Sequence, residues 1–111
     1  GNTTDFTAFV KNKYQIFAAS RLGILSFNFK DRQWSNAVNP SIFGGLEIKT
    51  MALDNNIIFI ATNNNLVQYD MEKNLMDIYN YSFIGQVNDM YIRDRRIWLG
   101  TTEGLISYHY K

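Results

Sequence analysis

Residues that could carry out chemistry are few in this chain of 111 residues. His109 is the single histidine, and there is no cysteine, so thiolate zinc sites, disulfide frameworks and cysteine nucleophiles are excluded. No serine or aspartate stands at a known motif spacing from His109, which favours an ordinary strand residue over a catalytic triad or a metal ligand. We therefore expect neither a metal nor a cofactor.

Carboxylates form the second set, and most of them fall where turns are expected. Seven are of this kind: Asp54, Asp70, Glu72, Asp77, Asp89, Asp94 and Glu103. Acidic residues at turns are usually turn formers or solvated charges, whereas a glycosidase needs two carboxyl groups flanking one bond. Spacing leaves such a pair open, but no acid–base constellation stands out and no calcium-loop pattern occurs. We expect the chain not to be an enzyme.

The charge balance argues against two classes of partner. The formal net charge is +1, apolar residues make up 46% of the chain and charged residues 19%. Such a composition is typical of a globular domain with a mixed surface, and it carries no electrostatic footprint for nucleic acid or an anionic membrane. No stretch approaches the roughly 18 apolar residues of a spanning helix, and the first residues have no basic start. Nucleic-acid binding and direct membrane insertion are not expected.

One phrase occurs three times, at intervals of about 40 residues. The copies read IFAASRLGILSFNF from Ile16, IFIATNNNLVQYDM from Ile58 and IWLGTTEGLISYHY from Ile97. Each begins with an apolar pair, continues through a small residue and a hydroxyl, and ends with an apolar residue three places before an aromatic one. The small residues are Ala19, Ala61 and Gly100, and the hydroxyls are Ser20, Thr62 and Thr101. The chain is therefore built from repeats, at about 6–48, 49–87 and 88–111.

The apolar residues within each copy alternate with a period of two, which predicts β-strands separated by turns rich in Asn, Asp and Gly. We name the strands of each repeat A, B, C and D. Strand A is predicted at 6–10, 49–53 and 88–92, and strand B at 15–20, 57–62 and 97–101. Strand C is predicted at 23–29, 65–70 and 104–110, and strand D at 32–36 and 75–80.

Four antiparallel strands every 40 or so residues indicate an all-β fold of β-propeller blades. In such a fold we expect the small residues of the repeated phrase to let neighbouring sheets approach closely near the axis, and large aromatic residues such as Trp98 and Tyr108 to fill the wider gap further out. A β-sandwich does not predict repeats in register, and the coils of a β-helix usually repeat at about half this period. The chain then corresponds to an incomplete ring of about two and a half blades. Either it is part of a longer propeller, which we favour, or copies associate to cover the open faces.

The third copy resembles the regulator-propeller repeat of hybrid two-component sensors. The matching residues are Asp94, Ile97, Trp98, Leu99, Gly100, Thr101, Gly104, Leu105 and Tyr108. The second copy keeps Asp54, Thr62 and Tyr69, whereas the first is more divergent and keeps Gly23. In that family the propellers form a periplasmic sensor region that precedes a membrane span and a histidine kinase. The resemblance therefore implies a periplasmic or extracellular location and a response to oligosaccharides.

Propeller geometry indicates where a ligand would bind. The B–C turns and the D–A connections emerge on one face, where the channel opens and ligands usually sit. The candidate ligand-binding residues there are Arg21, Asn63, Asn64, Thr102, Glu103, Gln86 and Asn88. Amide, hydroxyl and charged groups suit the hydroxyls of sugars, although solvated turns have the same composition. The expected partners are the remaining blades or another copy of the chain, together with an oligosaccharide.

Three classes of function are considered at this stage. The first is a ligand-sensing segment of a two-component signalling protein, which does not itself catalyse a reaction. The alternative is a structural or protein-interaction propeller module that mediates dimer contacts. An enzyme on a propeller, such as a lyase or glycosidase, ranks last because no acid–base constellation is present.

Overall fold

The computed structural model describes residues 6–20, 23–38, 47–82 and 84–110, and their regular secondary structure is entirely β. The strands are β1 (Ala8–Lys11), β2 (Gln15–Ser20), β3 (Gly23–Asn28), β4 (Gln33–Val38), β5 (Ile48–Asp54), β6 (Ile57–Thr62), β7 (Asn65–Asp70), β8 (Leu75–Asn80), β9 (Val87–Arg93), β10 (Arg96–Thr101) and β11 (Gly104–His109). Within these ranges no helix has the length and apolar character needed to cross a membrane.

The strands form three antiparallel sheets, one for each repeat. The first sheet has the order β1-β2-β3-β4, the second β5-β6-β7-β8 and the third β9-β10-β11. Each is a meander of sequence neighbours, as expected for a propeller blade. The predicted all-β fold of blade-like sheets is confirmed, and the three sheets do not close into a ring. The predicted bounds of β2, β6, β7 and β8 are exact, and those of the other strands differ by one or two residues, most at the start of β1 and the end of β4.

The gap-free alignment of the three phrases is reproduced in the pairing of strands B and C. Phe17 lies opposite Ser26, Phe59 opposite Gln68 and Trp98 opposite Ser107. Because a shift of one residue would turn every side chain to the other face of the sheet, a common register gives equivalent residues equivalent surroundings.

The second sheet lies between the other two and is covered on both faces. Along β6, Ile58 and Ile60 pack against the first sheet, whereas Phe59 and Ala61 pack against the third. All four are completely buried, which explains why this strand is apolar on both faces. The innermost strands β1, β5 and β9 lie side by side, so the sheets radiate from one edge.

The small residues of the repeated phrase differ in what they do. Ala19 and Ala61 are both 0% exposed, which agrees with close approach of neighbouring sheets. Gly100 has more room, because a Cβ there would come no closer than 3.8 Å to the Cβ of Asp89. It lies on the uncovered face of the third sheet, and so does Trp98, which is 39% exposed. Trp98 was expected to fill a gap between sheets, and no described residue closes that gap.

The two outer faces of this stack are rich in aromatic rings. On the first sheet, Phe6 stacks on Trp34 with ring centroids 6.3 Å apart, and Phe27 lies 5.0 Å from Trp34. On the third sheet, Tyr91, Trp98 and Leu105 are exposed together around a shallow depression. The described residues leave both faces open to solvent.

A hydrogen bond fastens the end of the third sheet to the second. The Tyr110 hydroxyl donates to Oδ2 of Asp54 at 2.6 Å, and the Tyr110 ring packs edge-on against Phe59. Asp54, predicted as a turn former, therefore also receives a hydrogen bond from 56 residues along the chain.

Candidate functional site

A hydroxyl at the end of each B strand closes the turn that follows. The hydroxyls of Ser20, Thr62 and Thr101 each donate to the main-chain carbonyl three residues on, at 3.5, 3.2 and 2.8 Å. The Thr62 and Thr101 oxygens also accept backbone N–H groups within their turns. Short polar side chains that bond to nearby backbone in this way stabilise turns. The repeated hydroxyl therefore shapes the loops that present the candidate ligand-binding residues.

We expect Thr62→Val to lower the free energy of unfolding by about 1–2 kcal/mol. Thr62 is completely buried, so water does not replace its hydrogen bonds with Asn64 and Asn65. Urea titration followed by circular dichroism measures the loss. Thr101→Val is the matched control, because the Thr101 hydrogen bonds lie at a solvated turn, and it should cost less than half as much. Equal losses would show that burial of the hydroxyl is not the reason for its effect.

Three of the predicted ligand residues meet where the second and third sheets adjoin. The Gln86 side chain donates to the carbonyl of Asn63 at 3.3 Å. The backbone N–H of Gln86 donates to Oγ1 of Thr102, and the N–H of Thr102 donates to the carbonyl of Gln86, both at 3.0 Å. The D–A connection is thereby held against both B–C turns. Asn63 and Thr102 remain exposed, so their side chains are available to a ligand.

Gly85 allows the approach of these two loops. Its φ is +80°, and a Cβ at this position would lie 2.7 Å from Cγ of Glu103 and 2.9 Å from Oγ1 of Thr102. A glycine is therefore required on steric and conformational grounds. Glu103 is exposed beside it, which adds a carboxylate to the rim of this cluster.

A second pair at the same end depends on two irregularities in the sheets. The pairing of β5 with β6 shifts between Ile48 and Thr50, and that of β9 with β10 shifts opposite the Gly100–Thr101 step. The extra residues are Lys49 and Asn88, which are equivalent in the repeats. Their side chains meet, with Lys49 Nζ donating to Oδ1 of Asn88 at 2.6 Å. Bulges redirect side chains in this way, and they give the site a cation that the sequence did not predict.

The predicted ligand residues thus have different placements. Four of them lie together in the loops at one end of the sheets: Asn63, Gln86, Thr102 and Glu103. Asn88 lies with Lys49 on the inner strands at the same end. Asn64 is exposed on the same turn as Asn63, with its N–H bonded to Thr62. Arg21 lies outside the described residues. We call the set Lys49, Asn63, Asn64, Gln86, Asn88, Thr102 and Glu103 the B–C end cluster.

A cleft among the described residues lies at the opposite end. It has a volume of about 580 Å³ and runs between the first and second sheets, where the A–B and C–D turns approach each other. Tyr14, which is 63% exposed, and the amides of Asn12 and Asn56 lie along it. Two of these groups already serve the fold, because Asn12 Oδ1 accepts the N–H groups of Tyr14 and Gln15, and Asn56 Nδ2 donates to Asp70.

Most of the carboxylates considered above have structural roles or are solvated. Asp70 Oδ1 accepts the N–H groups of Glu72 and Lys73 as well as the Asn56 amide. These hydrogen bonds hold the pKa of Asp70 below its ordinary value, and the one from the Lys73 N–H has the largest effect. At the basic A–B turn of the third sheet, Arg93 and Asp94 pair at 3.8 Å with both side chains largely exposed. Among the described residues no group of three His, Cys, Asp or Glu side chains could hold a metal ion.

Tyr81 is hydrogen-bonded to the backbone on both sides of the B–C turn of the second sheet. Its hydroxyl lies 2.6 Å from the carbonyl oxygen of Thr62 and 2.7 Å from that of Asn65, and it donates into this pair. Burial raises the pKa of Tyr81 to about 12. Burial likewise raises the pKa of Tyr108 to about 12 and also raises that of Tyr110, where the hydrogen bond to Asp54 adds to the effect.

These tyrosines predict a loss of stability in alkali. Because their folded-state pKa values lie above the ordinary value of 10.0, their contribution is complete below pH 10 and declines as the pH rises toward 12. Urea midpoints measured across this range should therefore fall steadily. In Tyr81→Phe the decline with pH should be shallower, because up to one proton fewer is released on unfolding. An unchanged slope in that variant would contradict the assignment of Tyr81.

The fold and the cluster together define a class of protein. The chain is of β-propeller type, with radiating meanders of four, four and three strands and a polar cluster where the B–C turns and D–A connections meet. Its exposed amides, hydroxyls, cation and carboxylate can exchange hydrogen bonds with a neutral polar ligand.

Comparison with known proteins supports this assignment at the level of fold. No protein-family model matches the chain, and no curated protein matches it. Two solved structures of the extracellular domain of a B. thetaiotaomicron signalling protein, described as a one-component and as a hybrid two-component system, match with TM-scores of 0.72 and 0.67. Each is 19% identical and is matched over 96% of this chain.

The chain spans only 15% of the length of those extracellular domains. A computationally designed protein also matches, with a TM-score of 0.64 at 10% identity, over 97% of this chain and 34% of the designed one. Identities this low show a shared fold.

Proposed function

We propose that this chain is a ligand-binding segment in the propeller of an extracytoplasmic sensor region, and that it binds without catalysis. The observation that carries the proposal is the likeness of nearly the whole chain to the extracellular domain of a two-component sensor. The regulator-propeller pattern of the third repeat supports the same class. A periplasmic or extracellular location and further blades from the same propeller belong to this proposal.

We further propose that the ligand is an oligosaccharide and that it binds at the B–C end cluster. Sugar hydroxyls both donate and accept hydrogen bonds, and the exposed groups of Asn63, Thr102 and Glu103 offer both capacities. The Lys49–Asn88 pair extends the polar surface toward the inner strands. Since Gln86 and Gly85 fix the two loops against each other, the exposed groups are held in place before a ligand arrives, which lowers the entropy lost on binding.

The test is titration calorimetry with a panel of neutral oligosaccharides released from polysaccharides, on the chain and on the longest propeller that contains it. We expect one member to bind, and Asn63→Ala with Glu103→Ala to weaken it about tenfold or more, since two hydrogen-bonding groups are lost. Absence of binding across the panel contradicts the ligand class. Unchanged affinity in the double variant contradicts the site.

A matched control removes the same chemical groups at the other end of the molecule. Gln33 and Asp31 lie exposed at and beside the C–D turn of the first sheet. Gln33→Ala with Asp31→Ala deletes one amide and one carboxylate, as the test pair does, and should leave the affinity unchanged. An equal loss in the control would mean that overall charge, rather than the B–C end cluster, determines binding.

The second candidate function is a structural or protein-interaction module that mediates dimer contacts. The exposed rings of Phe9, Trp34 and Trp98 on the outer sheet faces favour it, since contiguous apolar patches often mark interaction sites. Light scattering distinguishes the two, because an interaction module gives a defined dimer without any ligand.

A further inference from the structure

The charged side chains are divided unevenly between the two ends of the sheets. Of the eleven lysines and arginines in the sequence, eight lie in or next to the A–B and C–D turns: Lys11, Lys13, Lys30, Arg32, Lys73, Arg93, Arg95 and Arg96. Five carboxylates lie at the same end: Asp31, Asp54, Asp70, Glu72 and Asp94. Eight cations against five carboxylates give this end a formal charge of +3, although the whole chain has only +1. Charge of one sign concentrated in this way attracts ligands of the opposite sign.

A depression of about 380 Å³ lies at this end of the first sheet, between its A–B and C–D turns. Lys13 and Tyr14 of one turn line it, together with Asn28, Phe29 and Lys30 of the other. Tyr14 is 63% exposed and Phe29 is 42% exposed. Neither lysine forms an ion pair with another residue that the structure describes. Two uncompensated cations therefore share one concavity with two accessible rings, and its volume is that of a small-molecule site.

Hydrogen bonds hold the backbone of the two turns in place. The carbonyl of Tyr14 accepts the N–H of Phe29 at 3.0 Å, which joins the turns directly. The N–H of Lys30 donates to Oδ1 of Asn28 at 2.9 Å. Lys13 Nζ lies 5.4 Å from the centroid of the Tyr14 ring, within the range of a cation–π interaction. The depression is therefore formed before a ligand arrives, which lowers the entropy lost on binding.

The blade itself does not require these residue types. In the second sheet the backbone bond that joins the two turns runs from the N–H of Met71 to the carbonyl of Asn56 at 2.8 Å, and a carboxylate, Glu72, follows. The same backbone arrangement thus carries an amide, a thioether and a carboxylate in the second sheet, where the first sheet carries two rings and an ammonium group. The chemistry of the depression is a property of the first repeat alone, and not of the fold that the first two repeats share.

The combination of cations and rings favours an organic anion. Each ammonium group can donate to one oxygen of a carboxylate, and such charge-assisted hydrogen bonds are stronger than neutral ones. The exposed rings can pack against the flat body of a ligand. An inorganic anion would use the lysines and leave the rings exposed, whereas a neutral ring would leave the charges unused.

We propose that the depression between Tyr14 and Phe29 is a binding site for an organic anion that carries its carboxylate on a six-membered ring. Lys13 and Lys30 bind the carboxylate, and the ring of the ligand packs against the two aromatic side chains. The site lies at the end opposite to the B–C end cluster, so it goes beyond the function proposed above and does not depend on it. An aromatic acid and an acidic sugar share this chemistry, and the experiment distinguishes the two.

Nuclear magnetic resonance titration of the isotope-labelled chain tests the site, with cinnamate as the aromatic acid and glucuronate as the acidic sugar. At least one acid should shift the amide signals of Tyr14 and Lys30 and leave those of Gln86 and Thr102 in place. That acid should bind at least about tenfold more tightly than its neutral counterpart, cinnamamide or glucose, because the charge-assisted hydrogen bonds are lost. The acid that binds more tightly identifies the source of the ligand.

Three variants separate the local site from the general charge of this end. Lys13→Gln with Lys30→Gln should weaken binding of the acid about tenfold or more and remove its advantage over the neutral counterpart. Tyr14→Ala should weaken both ligands by a similar factor, because it removes the ring contact alone. Arg93→Gln with Arg96→Gln is the matched control, since it deletes two cations at the same end of the third sheet. The control should change the affinity less than about twofold at 0.15 M salt, where charges act over about 8 Å.

Four results would each overturn the proposal. The first is that neither acid shifts the amide signals of Tyr14 and Lys30. The second is equal affinity for an acid and its neutral counterpart. The third is an equal loss in the two double variants, which would assign binding to overall charge. The fourth is inorganic phosphate that binds as tightly as the acid, because the rings would then contribute nothing.

Discussion

Replacing Phe59 with alanine is expected to lower the free energy of unfolding by about 3–5 kcal/mol. Phe59 lies at the centre of β6, is 0% exposed and packs between the second and third sheets. Its ring contacts that of Tyr110 edge to face with centroids 4.9 Å apart, so the substitution also loosens the residue that bonds to Asp54. Since small domains are stable by only about 5–15 kcal/mol, the loss removes a large part of the total.

Urea titration followed by circular dichroism measures this effect, and the chain offers a matched control. Phe9, on the open face of the first sheet, is 61% exposed and contacts the Phe6 ring. Phe9→Ala deletes the same atoms where solvent already reaches them and should cost less than about 1 kcal/mol. Similar losses for Phe9 and Phe59 would mean that the second and third sheets do not share one packed core.

The arrangement of strands could be predicted from the sequence because three kinds of local signal agree in every repeat. The gap-free alignment of IIFIAT with its equivalents shows which residues share a face, the hydroxyl at the end of each B strand marks the turn, and Asn or Gly supplies the turn geometry. Asn55, for example, adopts the positive φ of 53° that its turn composition suggested. Agreement of these signals in all three copies would rarely arise by chance. The register of strands B and C then follows from aligning the three phrases.

The Lys49–Asn88 contact could not be predicted from alternation, because each residue is the extra one in a bulge. A bulge moves a single residue out of phase with its neighbours, and the residue types on either side do not mark its position. The one available signal was the equivalence of Lys49 and Asn88 in the repeats. Tyr81 was missed for a similar reason, since its partners Thr62 and Asn65 are defined by folding of the preceding turn rather than by sequence spacing.

The residues of the third sheet show a different limit. Trp98 was expected to fill space between neighbouring sheets, and its type and position in the repeat are those of a packing residue. Sequence pattern identifies the faces of a strand, but it does not show what lies against each face. Ile97 and Leu99 of the same strand pack against the second sheet and are completely buried, whereas Trp98 points to the open side.

Replacing Gly85 with alanine is expected to disorganise the B–C end cluster and to cost about 2–4 kcal/mol. Part of the cost comes from the backbone, because φ at this position is +80°, a conformation that L-residues adopt at a penalty. The rest comes from contact, since the new methyl group would lie 2.7 Å from Cγ of Glu103 and 3.0 Å from its backbone nitrogen. The side chain can move, but the backbone nitrogen cannot move without pulling Thr102 away from Gln86.

Gly100→Ala is the control for this substitution, because its methyl group would meet Asp89 only at 3.8 Å and its φ is not positive. A glycine in a strand is costly relative to alanine, so Gly100→Ala should be neutral or stabilising, opposite in sign to Gly85→Ala. Urea titration gives the two free energies, and amide exchange at Gln86 and Thr102 reports whether their two hydrogen bonds persist. If Gly85→Ala leaves both amides protected, the close approach of the loops does not depend on this glycine, and the ligand residues are held by Gln86 and Tyr81 alone.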